Sequence, residues 1–325
     1  MLGAALVAAL ILGAATGPYA IAPGEVLRLM AARLTGTPEA STASTVLFNI
    51  RLPRVLAAAL VGAALAGAGA SYQTIFRNPL VSPDILGVSA GAGFGAVLGI
   101  LWSMPVIAIQ LMGFAGGLAT VALVIGVATL LRGQAEVLVM VLTGIALGAL
   151  ASAGISIVKI LADPDQQLPA ITFWLLGSLA AVKPGDLMLA VLPVVAGLVP
   201  LAALAWRIGV MAMGEDEARA LGVDTGRLRL VVILCATLVT ATAVAIAGII
   251  GWIGLMVPHM ARFLVGARFD RLLPASLLIG ATFLVLVDTA ARSLATMEVP
   301  LGVLTALIGA PVFVWLLARG RREWA

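Results

Sequence analysis

Residues 136–161 read EVLVMVLTGIALGALASAGISIVKIL, an apolar run with charged residues only near its two ends. About 20 such residues suffice to cross a bilayer as a helix. A continuous apolar run favours a helix over a strand of a membrane barrel, in which polar and apolar residues alternate. We therefore predict a membrane-spanning helix in this part of the chain.

Similar apolar runs follow one another along the 325-residue chain. The residues A, V, I, L, M, F, W, Y and C make up 62% of it and charged residues only 10%. A soluble domain is nearer half apolar and a quarter charged, and so few charges cannot cover a water-exposed surface. We predict spans near residues 1–20, 54–75, 85–102, 106–130, 136–161, 187–206, 228–249, 250–266, 273–294 and 301–318.

One further apolar piece, residues 168–180, is too short to cross a bilayer. We predict that it forms a half-helix packed against the bundle, because backbone at membrane depth must be covered by protein. The predicted fold is therefore an all-α integral membrane protein with about ten transmembrane helices and one half-helix. Residues 1–325 are predicted to form a single transmembrane domain.

The predicted number of spans places both termini on the same side of the membrane. Basic residues collect on the cytoplasmic side of membrane proteins, and the tail Arg319–Arg322 is basic, so we place both termini in the cytoplasm. The run Leu2–Ala15 resembles the core of a signal peptide, but no basic residue precedes it, and we interpret it as a retained first span. The charge bias leaves unexplained five arginines on the predicted outer side: Arg28, Arg33, Arg51, Arg54 and Arg292.

Small residues recur every four positions in three predicted spans, so each row lies on one helix face. Such faces let membrane helices approach closely, and we assign this role to the rows Ala58-Gly62-Ala66-Ala70 and Gly87-Gly91-Gly95-Gly99. The row Gly144-Gly148-Ser152-Ser156 adds two hydroxyls, which in lipid must bond to their own helix, to a neighbour or to water. Pore lining and back-bonding are both open for this third row.

Several chemistries lack the residues that they need. The only lysines, Lys159 and Lys183, lie outside any glycine-rich P-loop, which excludes ATP hydrolysis by this chain. His259 is the one histidine and Cys235 the one cysteine, which excludes a multi-histidine metal site and a disulfide and disfavours a redox or haem enzyme. The basic residues are scattered without interleaved aromatics, so they indicate span-flanking charges rather than a nucleic-acid surface.

Asp288 is the one acid well inside a predicted span, and Arg292 follows four residues later. That spacing puts both side chains on one helix face and favours a structural ion pair over a proton path. A proton- or sodium-driven secondary transporter needs several titratable groups near the middle of the membrane. The sequence therefore disfavours this rival class of transporter.

The longest polar connection on the predicted cytoplasmic side is residues 207–229. Gly214 ends the incoming helix, three acids follow at the favourable N-terminus of a new helix, and Gly222 stops it. We predict an exposed helix of about two turns with Ala218 and Leu221 on one side. By residue chemistry alone, a plain loop and a docking element for a cytoplasmic partner are equally open.

Longer motifs occur in a fixed order between residues 51 and 317. They read RLPR at 51–54, FRNPLVSPDILGVS at 76–89 and WLLGS at 174–178. Then come GE at 214–215, Ala218 and LG at 221–222. The last three are GLMVPH at 254–259, VPLG at 299–302 and GAP at 309–311. With these motifs the chain resembles the FecCD family of ATP-binding-cassette importer permeases, which serve iron–siderophores, haem and cobalamin.

The resemblance implies a type II importer fold with ten helices per subunit and a homodimer with one pathway at its interface. It implies two cytoplasmic ATP-binding subunits, which hold ATP and Mg²⁺, and a periplasmic or lipid-anchored solute-binding protein. No cofactor, metal or catalytic residue is then expected on this chain, which would lie in a bacterial inner membrane.

The resemblance also implies roles for individual residues. Coupling to the ATPase falls to Gly214, Glu215, Ala218, Leu221 and Gly222. Docking of the binding protein falls to Arg51, Arg54 and Arg292. The resemblance assigns Asn78, Pro79 and Leu80 to a cytoplasmic gate. The prolines at 79 and 83 disfavour helix there, which fits an irregular gate segment. The pathway lining falls to Gly148, Ser152 and Ser156, whose small and weakly polar surface suits a cargo that must also be released.

The predicted mechanism is alternating access at the dimer interface, driven by the partner ATPases. A ferric siderophore is the first expectation for the cargo, because it is the commonest cargo of the family. Haem, cobalamin and molybdate are the alternatives, since no pathway residue selects among them.

Overall fold

The computed structural model describes residues 1–37, 39–131, 136–294 and 297–320. Of the basic residues used for the topology prediction, Arg132, Arg321 and Arg322 lie outside the described residues. Every regular element of the described ranges is helical, which confirms the all-α prediction. The helices are α1 (Leu2–Ala15), α2 (Pro23–Leu34), α3 (Thr42–Thr45), α4 (Leu52–Ile75), α5 (Val88–Leu101), α6 (Val106–Leu130), α7 (Glu136–Leu161), α8 (Gln167–Leu176), α9 (Pro184–Ala203), α10 (Ala205–Met211), α11 (Glu215–Ala220), α12 (Thr225–Ala247), α13 (Ile253–Val265), α14 (Phe269–Ala291) and α15 (Leu301–Gly320).

Each predicted span overlaps an observed helix. Within the described residues, six helices are long and apolar enough to cross a membrane: Thr42–Ile75, α6, α7, α9, α12 and α14. The shorter apolar helices are α1, α5, α8, α13 and the described part of α15. The count of ten spans stays a prediction, because four of its members are among these shorter helices.

The second span is longer than predicted, and an additional helix precedes it. A π-helical turn, Val46–Arg51, joins α3 to α4, so that one continuous helix runs from Thr42 to Ile75. The sequence analysis missed α2, although Pro23 at its first turn and the buried residues Val26 and Leu29 fit a helix start with one apolar face.

The two rows of small residues pack as predicted. A Cβ atom on Gly62 of α4 would lie 2.8 Å from the carbonyl carbon of Gly280 on α14. A Cβ atom on Gly91 of α5 would lie 2.7 Å from the carbonyl oxygen of Gly116 on α6. At both crossings the backbones of neighbouring helices touch, which is the usual way in which membrane helices associate.

The predicted half-helix is α8, and it lies beside the non-helical residues 248–252 that separate α12 from α13. After α8 ends, the Ser178 amide donates to the carbonyl oxygen of Ala247 at 2.9 Å, and the Leu301 amide donates to Gly177 at 3.0 Å. Gly177 has a φ of +76°, a backbone conformation that favours glycine. These bonds satisfy backbone groups between helices, as apolar surroundings require.

Candidate transport site

The predicted functional residues fall into three regions: α7, the start of α4, and the end of α4 together with the nearby loop between α10 and α12. At about 1.5 Å per residue, the two ends of α4 are roughly 36 Å apart. We call the start of α4, with Arg51 and Arg54, the arginine end. We call its other end, with the segment 76–82 and the loop between α10 and α12, the loop end.

The helix α7 presents most of its surface outside the fold. Its large apolar side chains at 142, 145, 150 and 157 are all exposed, and only 11% of its spanning window is buried. Ser152 and Ser156 lie on the exposed surface, and their hydroxyls donate to the carbonyl oxygens of Gly148 (2.9 Å) and Ser152 (3.0 Å). Back-bonding is therefore confirmed, and the role of this row in a pathway stays a prediction.

The segment 76–82 is irregular, as Pro79 within it and Pro83 directly after it predict. Arg77 has a φ of +48°, and the Leu80 amide donates to Asn78 Oδ1 at 2.9 Å in a local side-chain turn. The Leu80 side chain is exposed beside Pro79. These features give a short loop that presents an apolar side chain at the loop end, and its role as a gate stays a prediction.

The loop between α10 and α12 contains the predicted short helix α11, bounded by Gly214 (φ +149°) and Gly222 (φ +79°). Glu215 pairs with Arg219 at 3.1 Å and with Arg229 of α12, whose side chain is 5% exposed. A carboxylate bonded to a buried guanidinium on the next helix holds the loop in one position. Glu215 is therefore placed to orient α11 rather than to reach outward.

Two residues of this loop differ from the prediction. Ala218 is fully buried and packs in the core beside α12, whereas Leu221 lies beyond the last helical residue and is 56% exposed. The two side chains therefore do not share one exposed side, and that expectation is wrong. Sequence analysis also missed Met213, which is 67% exposed just before α11. The outward apolar pair of the loop is Met213 and Leu221.

At the arginine end, two guanidiniums bond to the C-terminus of α1. Arg51 donates to the carbonyl oxygens of Ala14 (3.0 Å), Ala15 (2.8 Å) and Tyr19. Arg292 donates to Gly13 and Thr16, both at 3.1 Å. Cations favourably meet the unpaired carbonyls at a helix C-terminus, so these arginines fasten α1 to α4 and α14.

Arg54 holds two carboxylates at the same end. Its guanidinium bonds to Asp288 Oδ1 at 2.8–2.9 Å and to both oxygens of Glu298, at 2.6 and 3.1 Å. Arg292 pairs with the other oxygen of Asp288 at 3.1 Å, which confirms the predicted ion pair. Asp288 thus lies buried between two arginines, and only Glu298, whose side chain is 43% exposed, reaches the surface.

Two of these contacts were missed at the sequence level. The partner of Arg54 was not found, because Glu298 and Asp288 are far from Arg54 in the chain and no local spacing joins them. The bond between Glu215 and Arg229 spans fourteen positions and also falls outside helical spacing. Sequence periodicity finds partners within one helix, and these pairs join different helices.

Comparisons with known proteins agree with one another. The family model described as the FecCD transport family matches residues 5–319. The molybdate import system permease protein MolB of Haemophilus influenzae is 42% identical over 207 residues, which are 63% of this chain and 61% of that protein. The "Probable iron chelatin transport system permease protein" of Helicobacter pylori (strain ATCC 700392 / 26695) is 41% identical over 186 residues, 57% of each protein. The chain thus spans 57–61% of the length of these curated relatives.

A solved structure covers nearly the whole chain. It is described as an inward-facing conformation within the metal-chelate type of ABC transporter, and it matches with a TM-score of 0.88 and 38% sequence identity. The match covers 98% of this chain and 97% of the other. The likeness therefore extends over the arginine end, the loop end and α7 together.

Proposed function

Because the chain belongs to the FecCD transport family, we propose that it is the membrane permease of a binding-protein-dependent ABC importer. The family match over residues 5–319 carries this proposal, since it contains every predicted functional motif. The chain is a multi-pass membrane protein, and the subunits of this family are membrane components rather than catalysts. In our proposal two separate cytoplasmic subunits bind ATP with Mg²⁺ and hydrolyse it.

The proposed cargo is an iron chelate, with a ferric siderophore as the first expectation. The relative from Helicobacter pylori and the metal-chelate transporter structure support this choice. The relative from Haemophilus influenzae keeps molybdate as an alternative, beside haem and cobalamin. The chain is 42% identical to the first relative and 41% identical to the second, so the cargo must be determined by experiment.

The proposed pathway lies between two copies of this chain, with α7 facing the interface. Most of α7 is exposed on the single chain, so this helix has surface available for contact with a second copy. Its serine hydroxyls are already bonded to their own helix, so the surface formed by Gly148, Ser152 and Ser156 is small and weakly polar. A bulky chelate can pass such a surface without strong binding, and alternating access at this interface would move it.

We place the loop end in the cytoplasm and the arginine end outside, in a bacterial inner membrane with both termini cytoplasmic. The loop containing α11 then faces the ATPases, with Met213 and Leu221 as its outward contacts and Glu215 as the residue that orients it. Motion of this loop would reach the gate segment Asn78–Leu80 at the same end.

The proposed docking of a binding protein on Arg51, Arg54 and Arg292 must meet one condition. All three guanidiniums are bonded within the chain, so an incoming carboxylate has to replace an existing partner. Glu298 is the exposed partner of Arg54 and the one most accessible to exchange. Docking at this end would therefore displace Glu298 and leave the buried Asp288 in place.

ATP-dependent uptake into proteoliposomes that contain this chain, its ATPase and its binding protein tests the proposal. The probe is a radiolabelled ferric siderophore, with unlabelled haem, cobalamin and molybdate as competitors. We expect uptake that requires ATP and that only excess ferric siderophore blocks. ATP-coupled uptake of another cargo would retain the importer and replace the iron chelate, whereas uptake driven by an ion gradient without ATP would overturn the proposed function.

A further inference from the structure

A cavity of about 500 Å³ with both polar and apolar lining lies at the loop end of α4. Its walls come from the last turns of α4, the segment 76–82, the residue Ala212 before α11, and the C-terminal half of α13. A water molecule occupies about 30 Å³ of liquid, so the cavity holds a small polyatomic ion together with several waters. We call it the Arg262 cavity; its polar lining is Gln73, Thr74, Arg77, Asn78, His259 and Arg262.

His259 lines this cavity with both ring nitrogens unsatisfied. Its side chain is 5% exposed, and neither Nδ1 nor Nε2 has a hydrogen-bond partner among the described residues. The ring is held edge-on by Phe263 and Phe313, at centroid distances of 5.3 and 5.9 Å. Buried polar atoms are nearly always hydrogen-bonded, and a molecule bound in the cavity would be placed to supply the partner that these nitrogens lack.

Arg262 is half-buried in the same wall and has no carboxylate partner among the described residues. Its Nη1 donates to Gln73 Oε1 at 2.6 Å, and Gln73 in turn donates to the Leu255 carbonyl oxygen at 3.1 Å. This chain of bonds fixes the direction of the guanidinium while leaving its other donors unused. A partly desolvated charge without a counter-ion is unfavourable, so an anion placed beside Arg262 would be stabilised.

The charged side chains that line the Arg262 cavity also favour an anion. Arg77 adds a second guanidinium to the lining, and the described residues that line the cavity include no Asp or Glu. The fork of N–H donors on a guanidinium matches the oxygens of phosphate-like anions. A neutral imidazole can donate one further hydrogen bond.

We infer that the Arg262 cavity is a binding site for a tetrahedral oxyanion, held by Arg262, His259 and Arg77. Free phosphate, sulfate or molybdate and the phosphate of a lipid headgroup all present this chemistry. The bound anion joins the segment 76–82 to α13, because Arg77 and Arg262 lie on these two parts of the wall. The inference does not rest on the cargo or on the ATPase, since the isolated chain is sufficient to measure it.

The first test uses the purified full chain in a neutral detergent without anionic lipid. Thermal unfolding is followed in increasing phosphate, sulfate or molybdate, against chloride at equal ionic strength. A ligand of the folded state raises the midpoint of unfolding in a saturable manner. We expect such a rise for the unaltered chain, an apparent affinity about tenfold or more weaker for R262Q, and an intermediate loss for R262K, which keeps the charge but not the fork.

R207Q is the matched control, because it removes an equal charge from an exposed position outside the lining of the cavity. We expect R207Q to bind the anion as the unaltered chain does. H259F keeps an aromatic ring between Phe263 and Phe313 but removes both nitrogens, and it should weaken binding several-fold. Hydrogen exchange of the backbone amides of residues 76–82 should slow when the anion is added to the unaltered chain.

A second arm distinguishes the source of the oxyanion. The chain is placed in nanodiscs of phosphatidylcholine alone or with phosphatidylglycerol, without added inorganic anions. Stabilisation that depends on phosphatidylglycerol and on Arg262, with none from inorganic anions, supports the site and assigns it to a lipid headgroup. Stabilisation by inorganic anions supports the site and assigns it to a free ion.

Two results would overturn the inference. One is an unaltered chain that neither oxyanions nor phosphatidylglycerol stabilise beyond chloride, a result that needs no variant to fold. The other is an equal loss of stabilisation in R262Q and R207Q, which would reduce the effect to general screening of positive charge. Neither result bears on ATP-dependent uptake, so failure of this site and failure of the proposed function are distinguishable.

Discussion

Arginines lie near both ends of α4, in opposite chemical surroundings. At the arginine end, Arg51, Arg54 and Arg292 each have acceptors from the chain itself. At the loop end, Arg262 has one amide oxygen and no carboxylate among the described residues. Arg54 and Arg292 thus share a carboxylate within the fold and Arg51 is bonded to several carbonyl oxygens, whereas Arg262 is bonded to one amide oxygen.

This difference distinguishes two roles that an arginine can have in a membrane protein. A guanidinium that is saturated by carbonyls and carboxylates holds helices together and has little left for a ligand. A guanidinium that is oriented by Gln73 but left without an anion is prepared to bind one. Burial alone does not distinguish the two cases, since both sets lie partly or fully inside the fold.

The largest effect should come from D288N at the arginine end. It removes the carboxylate charge that two largely buried arginines, Arg54 and Arg292, share. Breaking a buried pair by removing one partner costs about 3–5 kcal/mol, so we expect the free energy of unfolding to fall by roughly that amount. SDS titration of the chain in mixed micelles, followed by circular dichroism, measures the change.

D270N is the matched control, because Asp270 lies on the same helix as Asp288 but forms an exposed pair, with Arg268. We expect D270N to change the free energy of unfolding far less than D288N does, because solvent screens an exposed pair. Equal effects for D288N and D270N would contradict the conclusion that Arg54 and Arg292 depend on Asp288 as their buried partner.

A smaller effect is expected from E298Q, which alters the exposed carboxylate on Arg54. Glu298 is 43% exposed and is screened by solvent, and Arg54 keeps Asp288, so the loss should be at most about 1 kcal/mol. The same variant should strengthen docking of the binding protein, because Glu298 no longer competes for Arg54. Titration of the binding protein onto proteoliposomes measures this, and weaker docking by E298Q would show that Glu298 contributes to the docking surface itself.

The smallest effect on stability should come from the double variant M213S/L221S at the loop end. Both side chains are exposed, so the free energy of unfolding should change by less than about 0.5 kcal/mol. Co-purification of the ATPase should nevertheless fall about tenfold or more, since each apolar side chain contributes about 1.5–3 kcal/mol when it is buried at an interface.

The matched control is L294S/M297S, an exposed Leu and Met pair at the arginine end. It should leave co-purification of the ATPase unchanged. Normal ATPase pairing in M213S/L221S would remove the loop containing α11 from the proposed interface.

Much of the fold was predictable from the sequence, because it depends on local patterns. Apolar runs located the helices, glycines at 214 and 222 located the ends of α11, and the prolines at 79 and 83 located the irregular segment. The four-residue spacing of Asp288 and Arg292 predicted their ion pair. The helix α2 was missed, because it is short and its apolar residues are interrupted by Glu25, Arg28 and Arg33.

The surroundings of the candidate site residues were not predictable in the same way. Arg51 and Arg54 were predicted from their motif to face a partner, but their acceptors come from α1, α14 and the 297–300 stretch. Ala218 and Leu221 were predicted to lie on one side of α11, but Ala218 is buried and Leu221 is exposed, because a short helix has too few turns for its sequence to indicate which side meets the core.

The sequence by itself determined the all-helical membrane class, the positions of the helices and the family, since these depend on hydropathy and on motifs that are continuous in the chain. Only the tertiary structure decided which charges are satisfied. Glu298 reaches Arg54 across 244 positions, and no residue far along the chain brings a carboxylate to Arg262 within the described ranges. Electrostatic pairing depends on distances of a few ångströms between separate helices, and a linear pattern does not contain those distances.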